Sequence, residues 1–113
     1  MIRHYRLEGR IAVPIEMKGP DDIMEWARWF DSGRDRQVAL TPIGEKCRVS
    51  TVFISLDRRV CIMPPEEPPR LFEVRVFDGP MHGEATEHLT WEEAEQGHEE
   101  MVARVTEALG LAS

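Results

Sequence analysis

No run of this 113-residue chain approaches the ~20 consecutive apolar residues of a membrane-spanning helix, so no membrane span is expected. The N-terminal segment, Met1-Ile-Arg-His-Tyr-Arg, is charged and lacks an apolar stretch, so no secretory leader is expected either. Cysteine is scarce. Cys47 and Cys61 are too few for a disulfide framework, and free thiols in a reducing cytoplasm are the expectation. Basic charge is also short: 14 Lys and Arg stand against 21 Asp and Glu, for a formal net charge of −7. A nucleic-acid-binding domain of this size would show a basic surplus or stripe. Here Arg34, Arg36, Arg48, Arg58, Arg59, Arg70 and Arg75 are scattered among acids, so no direct nucleic-acid contact is expected. His82, His88 and His98 match no compact metal-ligand spacing, and no cofactor motif is present, so neither metal nor cofactor is expected.

What is present is an uneven distribution of charge. Residues 84–113 hold eight acids and a single Arg, whereas residues 1–83 hold thirteen of each sign. The acidity therefore belongs to one segment. The length fits one domain. Hydrophobic residues at 42% and charged residues at 31% suit a globular core rather than a disordered chain. In so small a domain a few aromatics must supply much of the burial, and the candidates are Trp26, Trp29, Phe30, Phe53, Phe72, Phe77 and Trp91.

The pattern along the chain predicts a short strand over 3–7 and an extended segment over 10–17, where Pro14 excludes a central position. Gly19-Pro20-Asp21-Asp22 starts a helix over 21–31, with Ile23, Trp26, Ala27 and Phe30 on one face and Ser32-Gly33 closing it. A strand over 36–43 turns at Gly44-Glu45-Lys46 into a β-branched run over 47–57, a central strand in a hairpin. Residues 58–70 form a loop holding Pro64-Pro65-Glu66-Glu67-Pro68-Pro69. A strand follows over 71–77 with Phe72, Val74 and Val76 on one side, then an edge strand over 84–89. Thr90-Trp91-Glu92-Glu93 is a capping box that opens a helix to about residue 109, closed by Gly110. Trp91, Ala94, His98, Met101, Val102, Val105 and Leu109 form its apolar stripe. The expected fold is a single α+β domain, an antiparallel sheet of about four strands with two helices packed on it.

Four groups of residues could carry function. His98, on an apolar helix stripe, could be a general base or ligand, but a packed histidine bonded to the backbone, Thr or Ser is the expected reading. Gly97 beside it marks a close backbone approach. Ser50, Thr51 and Ser55 lack the Gly-flanked turn of a nucleophile and read as hydroxyls satisfying their neighbours. Asp57, Arg58 and Arg59 at a strand end, with Arg70, could hold a small anion such as a nucleotide, or simply form an ion-paired turn. The face bearing Glu92, Glu95, Glu99 and Glu100 is either a solvated surface or a contact for a basic partner.

Four segments also occur in order: Trp26-Ala27-Arg28-Trp29-Phe30, Val49 through Asp57, Pro69 through Gly79, and Thr90 through His98. Together they resemble a family of small uncharacterised proteins encoded by tailed bacteriophages and prophages. The resemblance spans about residues 20–105. It departs at Arg58, where the family has His, at the proline loop, and in the less apolar second strand. No activity comes with the family. The resemblance implies life in the cytoplasm of a bacterial host and an accessory role. The leading expectation is a non-enzymatic protein that binds a host or phage protein through its acidic helix, a defence-system inhibitor among the options. The alternative is a binder of a small anionic ligand at the 57–70 loop. A homo-oligomer is compatible with the available edge strand and tryptophans.

Overall fold

The strongest strand signal in the sequence sits at the centre of the larger sheet. The computed structural model describes residues 3–32, 36–57 and 68–111. Nine elements run in the order β1 (Arg3–Glu8), β2 (Ile11–Ile15), α1 (Pro20–Ser32), β3 (Gln37–Ile43), β4 (Cys47–Phe53), β5 (Leu56–Asp57), β6 (Phe72–Phe77), β7 (Ala85–His88) and α2 (Trp91–Ala108). The α+β class holds. The strands, however, form two antiparallel sheets rather than one: a four-stranded sheet ordered β3-β4-β6-β7 and a three-stranded sheet ordered β2-β1-β5.

In β4 and β6 the side chains alternate between a buried face and a half-covered one. Register pairs Val49 with Val76 and Thr51 with Val74, so the buried residues of adjacent strands share one face. Helix α2 lies on that face. Its Met101 and Val105 pack with Ile43, Cys47, Val49, Val74 and Val76. A second cluster of Tyr5, Phe53, Leu71, Phe72 and Ala94 joins β1 of the small sheet to the large one. Pro14 falls on edge strand β2 and Pro42 on edge strand β3, where a missing N–H costs no ladder bond.

Three further expectations change. The run over 47–57 is not one strand. Ser55 adopts φ +72°, and this left-handed residue swings the chain out of the large sheet before β5 pairs with β1. Among the seven aromatics expected to fill the core, Phe53 and Phe72 are fully buried, whereas Trp26, Trp29, Phe30, Phe77 and Trp91 are only half-buried. Ile23, placed on the inner face of α1 by its spacing, is 48% exposed, because that helix turns Trp26 and Trp29 inward. The hairpin of β1 and β2 turns at Gly9, whose φ of +61° suits a two-residue connection. Gly33 and most of the 58–70 loop, including the run Pro64–Glu67, lie outside the described residues.

Candidate functional site

The acidic face of α2 is set by how the helix is capped and what it buries. Thr90, extended at φ −129°, accepts the Glu93 N–H on its hydroxyl at 3.1 Å. The Glu93 carboxylate reaches back to the N–H of Leu89 at 3.2 Å, one residue before the cap rather than to the cap itself. Ala94, Gly97, His98, Met101 and Val105 face the sheet. The 3.6-residue period then carries Glu92, Glu95, Glu99 and Glu100 to the outside, and all four are exposed on consecutive turns. Carboxylates three and four residues apart repel one another, so the face gains from a cationic neighbour. Glu95 has one within the chain: Arg10 lies 3.4 Å away and also sits over the Trp91 ring, 5.5 Å from its centroid. Both charged groups of that pair are largely solvated, so it adds under about 1 kcal/mol. Glu100 accepts from Gln96 at 3.2 Å. Among the described residues Glu92, Glu99 and Glu100 enter no ion pair.

His98 is structural in its contacts. It is 5% exposed, with Thr41 Oγ1 of β3 2.8 Å from Nε2 and Thr51 Oγ1 of β4 2.7 Å from Nδ1. Both ring nitrogens are occupied, so neither reaches a substrate. Burial pushes its pKa below the ordinary value, while nearby Glu99 pulls weakly the other way. Gly97 does mark a close approach, but of a side chain and not of a backbone: the His88 imidazole of β7 lies directly over it. His82 accepts the Asp78 N–H on Nδ1 at 2.7 Å within its turn, and His88 Nε2 meets Thr86 Oγ1 at 2.8 Å. Among the described residues no three His, Cys, Asp or Glu side chains are placed to share a metal ion. Ser55 satisfies its neighbours, donating to the Tyr5 carbonyl at 2.6 Å and accepting from Trp26 Nε1 at 2.8 Å.

Two of the four residues that could hold a small anion lie within what is described. Asp57 ends β5 and Arg70 is exposed at the end of the loop, while Arg58 and Arg59 lie outside the described residues.

A second surface was not visible in the sequence. Between the β1–β2 hairpin and α1 runs a cleft of about 1020 Å³. Trp26 and Trp29 of α1 and Trp91 of α2 line it, with Arg6 of the hairpin, Glu16 and Lys18 of the connection after β2, and Asp22 and Glu25 of α1. The signal present in the sequence is the i, i+3 spacing of Trp26 and Trp29 beside Asp22 and Glu25, which reads equally well as a core stripe.

In comparison with known proteins, no family model, curated protein or solved structure matches the chain.

Proposed function

We propose that this is a non-enzymatic accessory protein that binds a basic surface on another protein through the outer face of α2. The observation that carries the reading is that Glu92, Glu95, Glu99 and Glu100 are all exposed on consecutive turns of one helix. A rigid helix holds them at fixed spacing, so a complementary basic patch meets charges already ordered, which steers encounter and fixes register. The charge asymmetry supports it, since the acidic excess is confined to the segment containing α2. The occupied ring nitrogens of His98 favour a binding role over chemistry at that residue. In the setting that the phage-family resemblance implies, the partner is a host or phage protein in the bacterial cytoplasm. A groove that normally holds nucleic acid is the kind of basic surface such a face fits, and occlusion of it would inhibit a defence protein.

The test is an affinity capture from expressing bacterial cells. It compares the wild-type chain with a variant carrying Glu92→Lys, Glu95→Lys, Glu99→Lys and Glu100→Lys. The expected result is a partner retained by wild type, lost by the reversal, and released by raised salt. A partner held equally by both, with the reversed chain still folded by circular dichroism, overturns the acidic-face reading.

A further inference from the structure

We propose that the cleft between the β1–β2 hairpin and α1 is a binding site for a neutral oligosaccharide, separate from the acidic face of α2. At about 1020 Å³ it lies at the upper end of small-molecule sites. All three tryptophans of the chain line it, and Trp29 and Trp91 also pack against the second core cluster. Each is half-buried, so part of every indole remains at the wall. The rings are also held in place. Trp26 donates to Ser55 and sits 4.5 Å from the His4 ring and 4.9 Å from Phe30, between centroids. Trp29 stands edge-on to Phe53, and Trp91 edge-on to Phe72, both at 6.3 Å. Aromatic walls fixed in advance bind without an ordering cost.

The charges between the rings select the ligand. Arg6, which is paired with Glu8, and Lys18 line the cleft together with Glu16, Glu25 and Asp22, whose carboxylate accepts the Lys18 backbone N–H at 2.9 Å. A long anion that reaches the two cations also meets carboxylates, and a long cation meets Arg6 and Lys18. A neutral ligand rich in hydroxyls is repelled by neither, because each hydroxyl donates to a carboxylate or accepts from a cation. The C–H edges of a sugar ring carry partial positive charge, which suits the negative face of an indole; Arg10 already sits over the Trp91 ring, so this stacking falls to Trp26 and Trp29. The cleft is open to solvent, which fits a chain of sugar rings better than an enclosed single ring.

A proline-rich peptide also lies on tryptophans, but it offers carbonyl acceptors and few donors. The Trp26 N–H is already given to Ser55, and the Trp91 N–H is buried without a partner, so neither serves such a peptide. The three carboxylates would face a ligand with little to donate.

The experiment titrates the full chain with maltotriose, cellotriose and chitotriose and reads tryptophan fluorescence. Because every tryptophan lines the cleft, no remote indole dilutes the signal. The expected result is a saturable change with at least one trisaccharide at millimolar concentration or below. Glu16→Ala with Glu25→Ala, both exposed positions, weakens that binding about tenfold or more while the circular dichroism spectrum is unchanged. The reversal of the α2 face leaves it unaltered. The proposal is overturned if none of the three sugars saturates, if the double variant binds like wild type, or if a proline-rich peptide or ATP binds more tightly than every sugar.

Discussion

The Thr51 hydroxyl lies 2.7 Å from His98 Nδ1, and both residues are sealed between α2 and the four-stranded sheet. With Thr41 on the other ring nitrogen, a neutral imidazole donates from one side and accepts on the other, so every polar atom it buries is matched. Protonation would place a charge in the same dry space. Burial accordingly lowers the His98 pKa below its ordinary value of 6.5, with Glu99 opposing weakly. The unfolded chain then binds a proton more readily than the folded one. Stability therefore declines as pH falls through about 6.5, and the loss is complete below the folded pKa. Urea midpoints of wild type and His98→Gln, compared from neutral pH to about pH 5, should show the wild-type advantage shrinking with acidification. A constant difference would contradict it.

The same contact predicts the result of removing one hydroxyl. Thr51→Val keeps the shape and strands a buried ring nitrogen, at a cost of about 1–3 kcal/mol. With His98 replaced by Leu there is no nitrogen to strand, so Thr51→Val in that background should be close to neutral. The coupling is read from denaturant midpoints of the four proteins in the cycle.

Thr51 and His98 show how far the sequence carries. Thr51 reads as a strand hydroxyl satisfying a neighbour, and His98 as a packed histidine bonded to Thr or Ser; the structure joins the two. Period-2 and period-3.6 patterns place β4, β6 and α2 well because burial on one face forces those periods. The split of 47–57 into two strands was illegible, since nothing in Ile54-Ser55-Leu56 announces a positive φ without glycine. The tryptophan cleft was hidden for another reason. It joins β1, β2, α1 and the start of α2, and no local period encodes a contact between elements so far apart. The outward acidic face was legible, because it is the complement of the buried stripe.

Ser55 holds the junction of the two sheets. Its N-terminal neighbours end β4 of the large sheet, its C-terminal neighbours form β5 of the small one, its carbonyl accepts the Tyr5 N–H at 2.8 Å, and its hydroxyl joins the Tyr5 carbonyl to Trp26. The left-handed backbone costs a non-glycine residue about 1–2 kcal/mol, which these bonds offset. Ser55→Ala loses both hydroxyl bonds and keeps the strain, so it should destabilise by about 2 kcal/mol or more. Ser55→Gly loses the same bonds but relieves the strain, and should rank between Ala and wild type. The midpoints decide the order. A red-shifted Trp26 emission in both variants is the accompanying sign.

Gly97 and His88 form the remaining tight contact. A Cβ on Gly97 would stand 2.6 Å from His88 Cε1 and closer still to Nε2. Helix propensity alone favours alanine at an interior position by about 1 kcal/mol. To make room, however, the His88 ring must leave its 2.8 Å contact with Thr86 Oγ1, so the collision outweighs the propensity. Gly97→Ala is therefore expected to destabilise the wild-type chain. Once His88 is replaced by Ala the obstacle is gone, and the same glycine substitution should stabilise by up to about 1 kcal/mol. The sign of the effect thus depends on the residue at 88, which a double-mutant cycle of thermal midpoints measures directly. Stabilisation by Gly97→Ala with His88 in place would show that the imidazole yields at little cost, and that the glycine is not required by this contact.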